Sequence, residues 1–250
     1  MGASDPVSVR RLTTGVVRTR RASRGALRYV VDDWEDSVLP VNAYLVRHPR
    51  GPVVFDTGQT SDATRRGYFP AWHPWLRLAR FELEPSDEIG AQLDRLGVAP
   101  STVGHVVLSH LHTDHVGGLA AFPDTEVVVG DTEWRRAQGT RGRLRGYVPL
   151  PGTPRIRTVT PAGPPLGPFT ASEDLLGDGT CILLPTPGHT PGHLAMLVRG
   201  DGRAWLLAGD LAHDLDELER TRPEVAGWCD AERVELLTAH DVAASAVAEA

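Results

Sequence analysis

The sequence predicts an α/β fold built of two similar halves, stacked as a four-layer αββα sandwich. Two passages carry that expectation. In the first, the apolar run Val53-Val54-Phe55 leads to Asp56, a helix follows from Ser86 to Gly97, and a second apolar run, Val106-Val107-Leu108, comes after it. In the second, Trp205-Leu206-Leu207 runs to Gly209-Asp210, and a helix is expected from Asp230. Repetition of this order favours two facing sheets, each covered on its outer side by helices. At 250 residues, 41% hydrophobic and 23% charged, the chain is long enough to close such a core as one domain over 1–250.

From the N-terminus, Met1-Gly2-Ala3-Ser4-Asp5-Pro6 has no apolar stretch of the kind a secretory signal needs. Pro6 stands where a myristoylation signal wants a hydroxyl residue. No run is long enough for a membrane span. The two cysteines, Cys181 and Cys229, form no spaced framework, so a reducing cytoplasm is expected. All 26 basic residues are arginine, which with abundant Ala, Gly and Pro reads as the codon usage of a GC-rich bacterial genome. Arg18, Arg20, Arg21, Arg24 and Arg28 alternate with apolar residues, as on the solvent face of paired strands. Together with a net charge of −6, this argues against a nucleic-acid partner.

Val41 to Val46 reads as a strand, His48-Pro49-Arg50-Gly51 as a turn, and Val53-Val54-Phe55 as the next strand. Asp56 then either caps a turn before Gly58 or supports a site. Between Gln59 and Pro85 the aromatics crowd: Tyr68, Phe69, Trp72, Trp75 and Phe81, with His73 among them. They fit a side wall of an apolar substrate pocket or a satellite core under a long loop. Ser86-Asp87-Glu88 offers a helix cap and first-turn acids, Ile89, Leu93 and Leu96 an apolar stripe, and Gly97 a stop. Val127-Val128-Val129 reads as a strand, Asp131 to Trp134 as a helix start, and 146–169 as a Pro/Gly-rich loop.

The chemistry concentrates in Ser109-His110-Leu111-His112-Thr113-Asp114-His115-Val116-Gly117-Gly118. Three imidazoles and a carboxylate at the end of a buried strand make a metal-ligand cluster, suited to zinc first and to iron or manganese as well. Further ligands are sought at other strand ends. Ile182-Leu183-Leu184 leads to Thr186-Pro187-Gly188-His189-Thr190-Pro191-Gly192-His193, and Trp205-Leu206-Leu207 leads to Asp210. This H-x-H-x-D-H run, the distant histidine and the later aspartate resemble the metallo-β-lactamase superfamily, from about Leu39 to the C-terminus.

The resemblance implies two divalent metal ions. His110, His112 and His189 would hold one, Asp114 and His115 the second, with Asp210 bridging. Asp56 would support the histidine loop, and His193 would be a supporting or structural residue. Two cations sharing a water would yield hydroxide without a separate base, and Asp114 would carry a proton to the leaving group. The last ligand of the family is a histidine delivered by a strand. His240, after Val234-Glu235-Leu236-Leu237-Thr238-Ala239, is the candidate, yet Ala231 to Ala250 is also dense in helix formers. From sequence, both readings stand.

The run from Leu39 to Gly51, Asp56-Thr57-Gly58, Ser109 to His112, and Phe122-Pro123 is similar to the N-acyl-homoserine lactonase branch. That implies a small-molecule carbonyl substrate with an apolar tail. Those lactonases carry a tyrosine three residues past the bridging aspartate, where this chain has His213, a candidate pocket donor. A glyoxalase II-like thioesterase, a natural-product esterase or a metal-poor ligand-binding relative are the alternatives. The oligomeric state, a dimer included, is left open.

Overall fold

The apolar runs pair into two sheets that face one another. The computed structural model describes residues 7–19, 37–69, 79–145, 147–200 and 202–241. In chain order the strands of the first sheet are β1 (Ser8–Thr19), β2 (Ser37–Arg47), β3 (Val53–Phe55), β4 (Ala79–Glu82), β5 (His105–Val107), β6 (Glu126–Gly130) and β7 (Arg155–Val159). Those of the second are β8 (Glu173–Asp174), β9 (Cys181–Pro185), β10 (Leu194–Gly200), β11 (Arg203–Gly209) and β12 (Val234–Thr238). The helices are α1 (Ile89–Arg95), α2 (Thr113–Val116), α3 (Asp131–Ala137), α4 (Gly139–Leu144), α5 (Leu215–Thr221) and α6 (Pro223–Glu232).

The first sheet runs β4-β1-β2-β3-β5-β6-β7, antiparallel through β3 and parallel from β3 to β7. The second runs β12-β11-β10-β9-β8, with β11 and β12 parallel. Alternation along each strand assigns the layers. Phe55, Val107, Val128, Leu183, Met196, Leu207 and Leu237 point between the sheets and form the central core. Their neighbours Val54, Val106 and Val127 face outward onto Ile89 and Leu93 of α1. Leu184, Leu206 and Ala208 face outward onto Leu218 of α5 and onto Val225 and Cys229 of α6. The result is the expected αββα order.

Three elements differ from the sequence expectation. The helix expected from Asp230 instead ends at Glu232: Pro223 supplies its first turn, and Arg233, at φ 55°, adopts the left-handed conformation that stops it. The chain then enters β12, because Leu237 fills the central core while parallel pairing to β11 satisfies the backbone. Ser86 is not the cap of α1. Glu84 and Asp87 form a reciprocal capping box around a short 3-10 turn begun by Pro85, and α1 starts at Ile89. The expected loop over 146–169 contains β7, which extends the parallel sheet. Gly97, at φ 68°, ends α1 as expected.

Of the arginine series, Arg18 lies on β1 and binds Glu82 across to β4, as a solvent-face pair does; Arg20, Arg21, Arg24 and Arg28 lie outside the described residues. Among the described residues no helix is long and apolar enough to cross a membrane. Cys181 and Cys229 are buried free thiols.

Candidate metal centre

Strand ends from both sheets meet at one edge of the sandwich. At the end of β3, Asp56 is buried and takes the left-handed conformation, φ 56°, which aspartate tolerates better than most residues. One carboxylate oxygen accepts the Ser109 amide at 2.7 Å; the other accepts the Ser109 hydroxyl at 2.8 Å and faces His115 Nδ1 at 2.8 Å. Thr57 donates both its amide and its hydroxyl to the His115 carbonyl, at 2.8 and 2.9 Å. Gly58 accepts the Gly117 amide at 2.8 Å, and a Cβ there would overlap Thr14. Asp56-Thr57-Gly58 is therefore a clamp on the histidine loop and on α2, and the turn-capping alternative is the lesser part of its work.

Seven side chains predicted from sequence converge beyond this clamp. His112 Nδ1 lies 2.9 Å from both His110 Nε2 and His189 Nε2. Asp210 Oδ2 lies 3.8 Å from His110 Nε2 and 3.4 Å from His189 Nε2. Its other oxygen lies 3.5 Å from His115 Nε2 and 3.6 Å from His240 Nε2. Asp114 Oδ1 is 4.0 Å from His115 Nε2, and Asp114 Oδ2 is 3.8 Å from His240 Nε2. Asp210 thus reaches both halves of the cluster.

The helical alternative for His240 is set aside, because β12 carries this residue into the site. Asn42 donates its amide to the Ala239 carbonyl at 2.9 Å, and Tyr44 donates its hydroxyl to the Thr238 carbonyl at 2.6 Å. Both are residues of β2, so the first sheet fixes where the second delivers its last histidine.

The inner nitrogens are poised for a cation because the outer ones are engaged. His240 Nδ1 donates to the Pro40 carbonyl at 2.8 Å, His110 Nδ1 contacts the Ser109 hydroxyl at 3.0 Å, and His115 Nδ1 is held by Asp56. His115 Nε2 and Asp210 Oδ1 are buried with no hydrogen-bond partner among the described residues. Buried donor atoms that face one another at 3.5 Å and aim at a common centre fit a divalent cation. Three triads are placed to hold one: His110, His112 and His189; His110, His115 and Asp210; and Asp114, His115 and His240.

The electrostatics of His110, His112 and Asp210 point the same way. Burial, then the neighbouring imidazoles, holds His110 well below the ordinary histidine range, and burial and His189 bring His112 down to about 4. Burial opposes ionisation of Asp210, but His115 and His240 outweigh it and keep this carboxyl well below its usual range. His115 runs opposite: burial disfavours its charge, yet Asp210, Asp56 and Asp114 together raise it. Neutral His110 and His112 beside an ionised aspartate are the protonation states metal ligands require.

His193 supports the site rather than joining it. Its Nδ1 meets the Thr186 hydroxyl at 2.8 Å and its Nε2 accepts the Asp210 amide at 3.3 Å, so the ring fixes the backbone of the central aspartate. His213 lies at the rim. Its ring stacks on His240 with centroids 5.7 Å apart, and its Nδ1 is bound to Glu217 at 2.6 Å. Phe69 and Phe81 pack with Val17 and Val41 as a satellite core, the second reading of the aromatic segment. Trp72, His73 and Trp75 lie outside the described residues.

Sequence reasoning missed Glu133 and Tyr147. Glu133, read only as part of a helix start, is fully buried and accepts the Leu111 amide at 3.2 Å. Tyr147 lies against His112, ring centroids 5.5 Å apart. Nothing local in Asp131-Thr132-Glu133 signals that the third residue turns inward.

Comparison with known proteins agrees with this geometry. The family model described as the metallo-beta-lactamase superfamily matches residues 36–244. The N-acyl homoserine lactonase AttM of Rhizobium radiobacter is 31% identical over 192 residues, covering 74% of this chain and 69% of that protein. The metallo-hydrolase mfmC of Annulohypoxylon moriforme is 32% identical over 190 residues, covering 68% of this chain and 46% of its own. A crystal structure of a quorum-quenching N-acyl homoserine lactone hydrolase superposes with a TM-score of 0.71 at 21% identity, covering 99% of this chain and 98% of that one. A lactone hydrolase solved with N-hexanoyl-L-homoserine at its catalytic metal centre gives 0.68 at 21% identity, with 94% of each chain covered. On its family match, its two-sheet fold and its histidine-aspartate cluster, this chain belongs to the metallo-beta-lactamase superfamily of metal-dependent hydrolases.

Proposed function

We propose that this hydrolase opens a lactone ring and takes two divalent cations, zinc foremost. His110, His112 and His189 would hold one; Asp114, His115 and His240 would hold the other; Asp210 would serve both. The observation that carries the reading is the Asp210 carboxylate, one oxygen turned to His110 and His189 and the other to His115 and His240. When bound, the cations supply Lewis acidity toward a carbonyl and make water acidic enough to attack near neutral pH.

The chain's own residues do the rest. Asp56, Ser109, Pro40 and His193 hold the ligand side chains and the Asp210 backbone in place, so the site needs little rearrangement during reaction. Asp114, through a carboxylate oxygen, takes the proton released by the attacking water and returns it to the ring oxygen as the acyl–oxygen bond breaks. A cavity of about 390 Å³ opens beside His240; Leu39 and Leu215 give it an apolar side, and Asp214, Asp216 and Asp241 line the rest with His213. His213 Nδ1 donates to Glu217, so only the doubly protonated ring would offer an Nε2–H to a substrate carbonyl.

Relatives named N-acyl homoserine lactonase support the lactone over other carbonyls. The alternative is an ester or thioester substrate, and the observation that favours it is His213 in place of the lactonase tyrosine. The test is a panel of acyl lactones, thioesters and aryl esters, run on the native protein and on His213→Phe. Lactones should be the best substrates, and His213→Phe should raise KM for them. Faster thioester turnover would move the assignment to the alternative, and no turnover of any class would leave a ligand-binding protein.

A further inference from the structure

Glu133 is a buried carboxylate that the mechanism above does not use. It lies in the first turn of α3, is 0% exposed, and has Oε2 without a hydrogen-bond partner among the described residues. A carboxylate buried this deeply is expensive, so its placement calls for a reason beyond stability. Three contacts supply one. Its Oε1 accepts the amide of Leu111, the residue between His110 and His112, at 3.2 Å. It neighbours Tyr147, whose ring lies on His112 with centroids 5.5 Å apart; the Tyr147 hydroxyl is pushed up first by burial and then by Glu133. On its other side, Glu133 abuts Gly192, three residues past His189, so closely that a Cβ there would overlap the Glu133 backbone and Cβ. The α3 turn is therefore a wedge touching both loops that carry the triad His110, His112 and His189.

We propose that Glu133 is a positioning residue for that triad: its carboxylate holds the Leu111 peptide and Tyr147 while its backbone and Cβ seat the His189 loop, setting His112 against His189 at their 2.9 Å spacing. The proposal rests on the reading of the cluster as a metal site. It concerns geometry, not charge. A glutamine can accept the Leu111 amide through its carbonyl oxygen and keep the wedge. An aspartate, one methylene shorter, withdraws the acceptor while keeping the charge, and an alanine removes both.

The test uses the full chain, stripped of metal and reloaded with cobalt(II), in four forms: native, Glu133→Gln, Glu133→Asp and Glu133→Ala. Cobalt affinity is measured by competition with a chelator, the visible d–d spectrum reports ligand geometry, and thermal melting of the metal-free protein reports the fold. Glu133→Ala should bind the tighter cobalt ion roughly 10- to 100-fold more weakly, the range seen when outer-shell partners of metal ligands are lost. Its d–d bands should shift. Glu133→Asp should weaken binding at least several-fold with melting close to native, which keeps the test decisive if the alanine variant does not fold. Glu133→Gln should bind as the native protein does. Native affinity and spectrum in Glu133→Asp would overturn the proposal, as would a glutamine variant as impaired as the alanine one. Failure of the native chain to bind cobalt at all would overturn the metal reading itself, a different outcome from native binding unaffected by the substitutions.

Discussion

Replacing Asp56 by asparagine isolates what its carboxylate does for the site. Asparagine shares the tolerance of aspartate for positive φ, so the backbone at φ 56° is undisturbed. The carboxylate faces three donors: the Ser109 amide, the Ser109 hydroxyl and His115 Nδ1. The asparagine oxygen can keep the Ser109 amide at the first position, but its NH2 then points at the Ser109 hydroxyl and at His115 Nδ1. The hydroxyl can rotate and accept. His115 can accept only by moving its proton to Nε2, the nitrogen that faces Asp210. Either a buried donor is left unpaired, at about 1–3 kcal/mol, or the metal-facing nitrogen is blocked. Urea unfolding of the metal-free protein should therefore show a loss of up to about 3 kcal/mol. Chelator competition should show a cation at the His115 side bound roughly 10- to 100-fold more weakly. Native stability together with native metal affinity would refute the clamp.

Two further predictions follow from neighbouring residues. His240→Ala should empty the Asp114 and His115 side selectively, weakening that cation by more than the roughly 10- to 100-fold typical of an outer partner and leaving the His110, His112 and His189 side loaded; elemental analysis of the dialysed variant reads the stoichiometry. His193 is brought down to about 3 by burial, against 6.5 unperturbed, and its unprotonated Nε2 accepts the Asp210 amide. The unfolded chain thus binds an extra proton between those values, so the stability His193 supports is present above about 6.5 and is lost as pH falls toward 3. His193→Gln should make the metal-free protein's stability less dependent on pH across that window, and an unchanged slope would count against the buried neutral ring.

The candidate ligands were legible because each stands in a short motif at the end of an apolar run, where both spacing and chemistry are local. His110, His112, Asp114, His115, His189 and Asp210 are read as candidates in this way, and the fold brings them together. His240 was ambiguous for a physical reason: Ala231 to Ala250 is dense in helix formers, while Leu237 has a place in the central core only as part of a strand. Tertiary burial and pairing to β11 outweighed propensity. Pro223, the signal that α6 starts early and ends before β12, was present in the sequence but unread. Glu133 was illegible because its burial depends on how closely Gly192 lets the His189 loop approach α3, and Tyr147 because its ring packs on His112 from a distant segment. The aromatic segment was legible only as a choice, and Phe69 and Phe81 resolve to packing.

The central claim is that the cluster spanned by Asp210 performs metal-dependent lactone hydrolysis. Its most direct test is to strip the protein with a chelator and titrate zinc back while recording ring opening of an acyl lactone and the zinc bound per chain. The account predicts near-complete loss of hydrolysis on stripping and recovery that levels off at two ions per chain. Hydrolysis that survives stripping, or full recovery in a chain carrying both His110→Ala and His112→Ala, would contradict it.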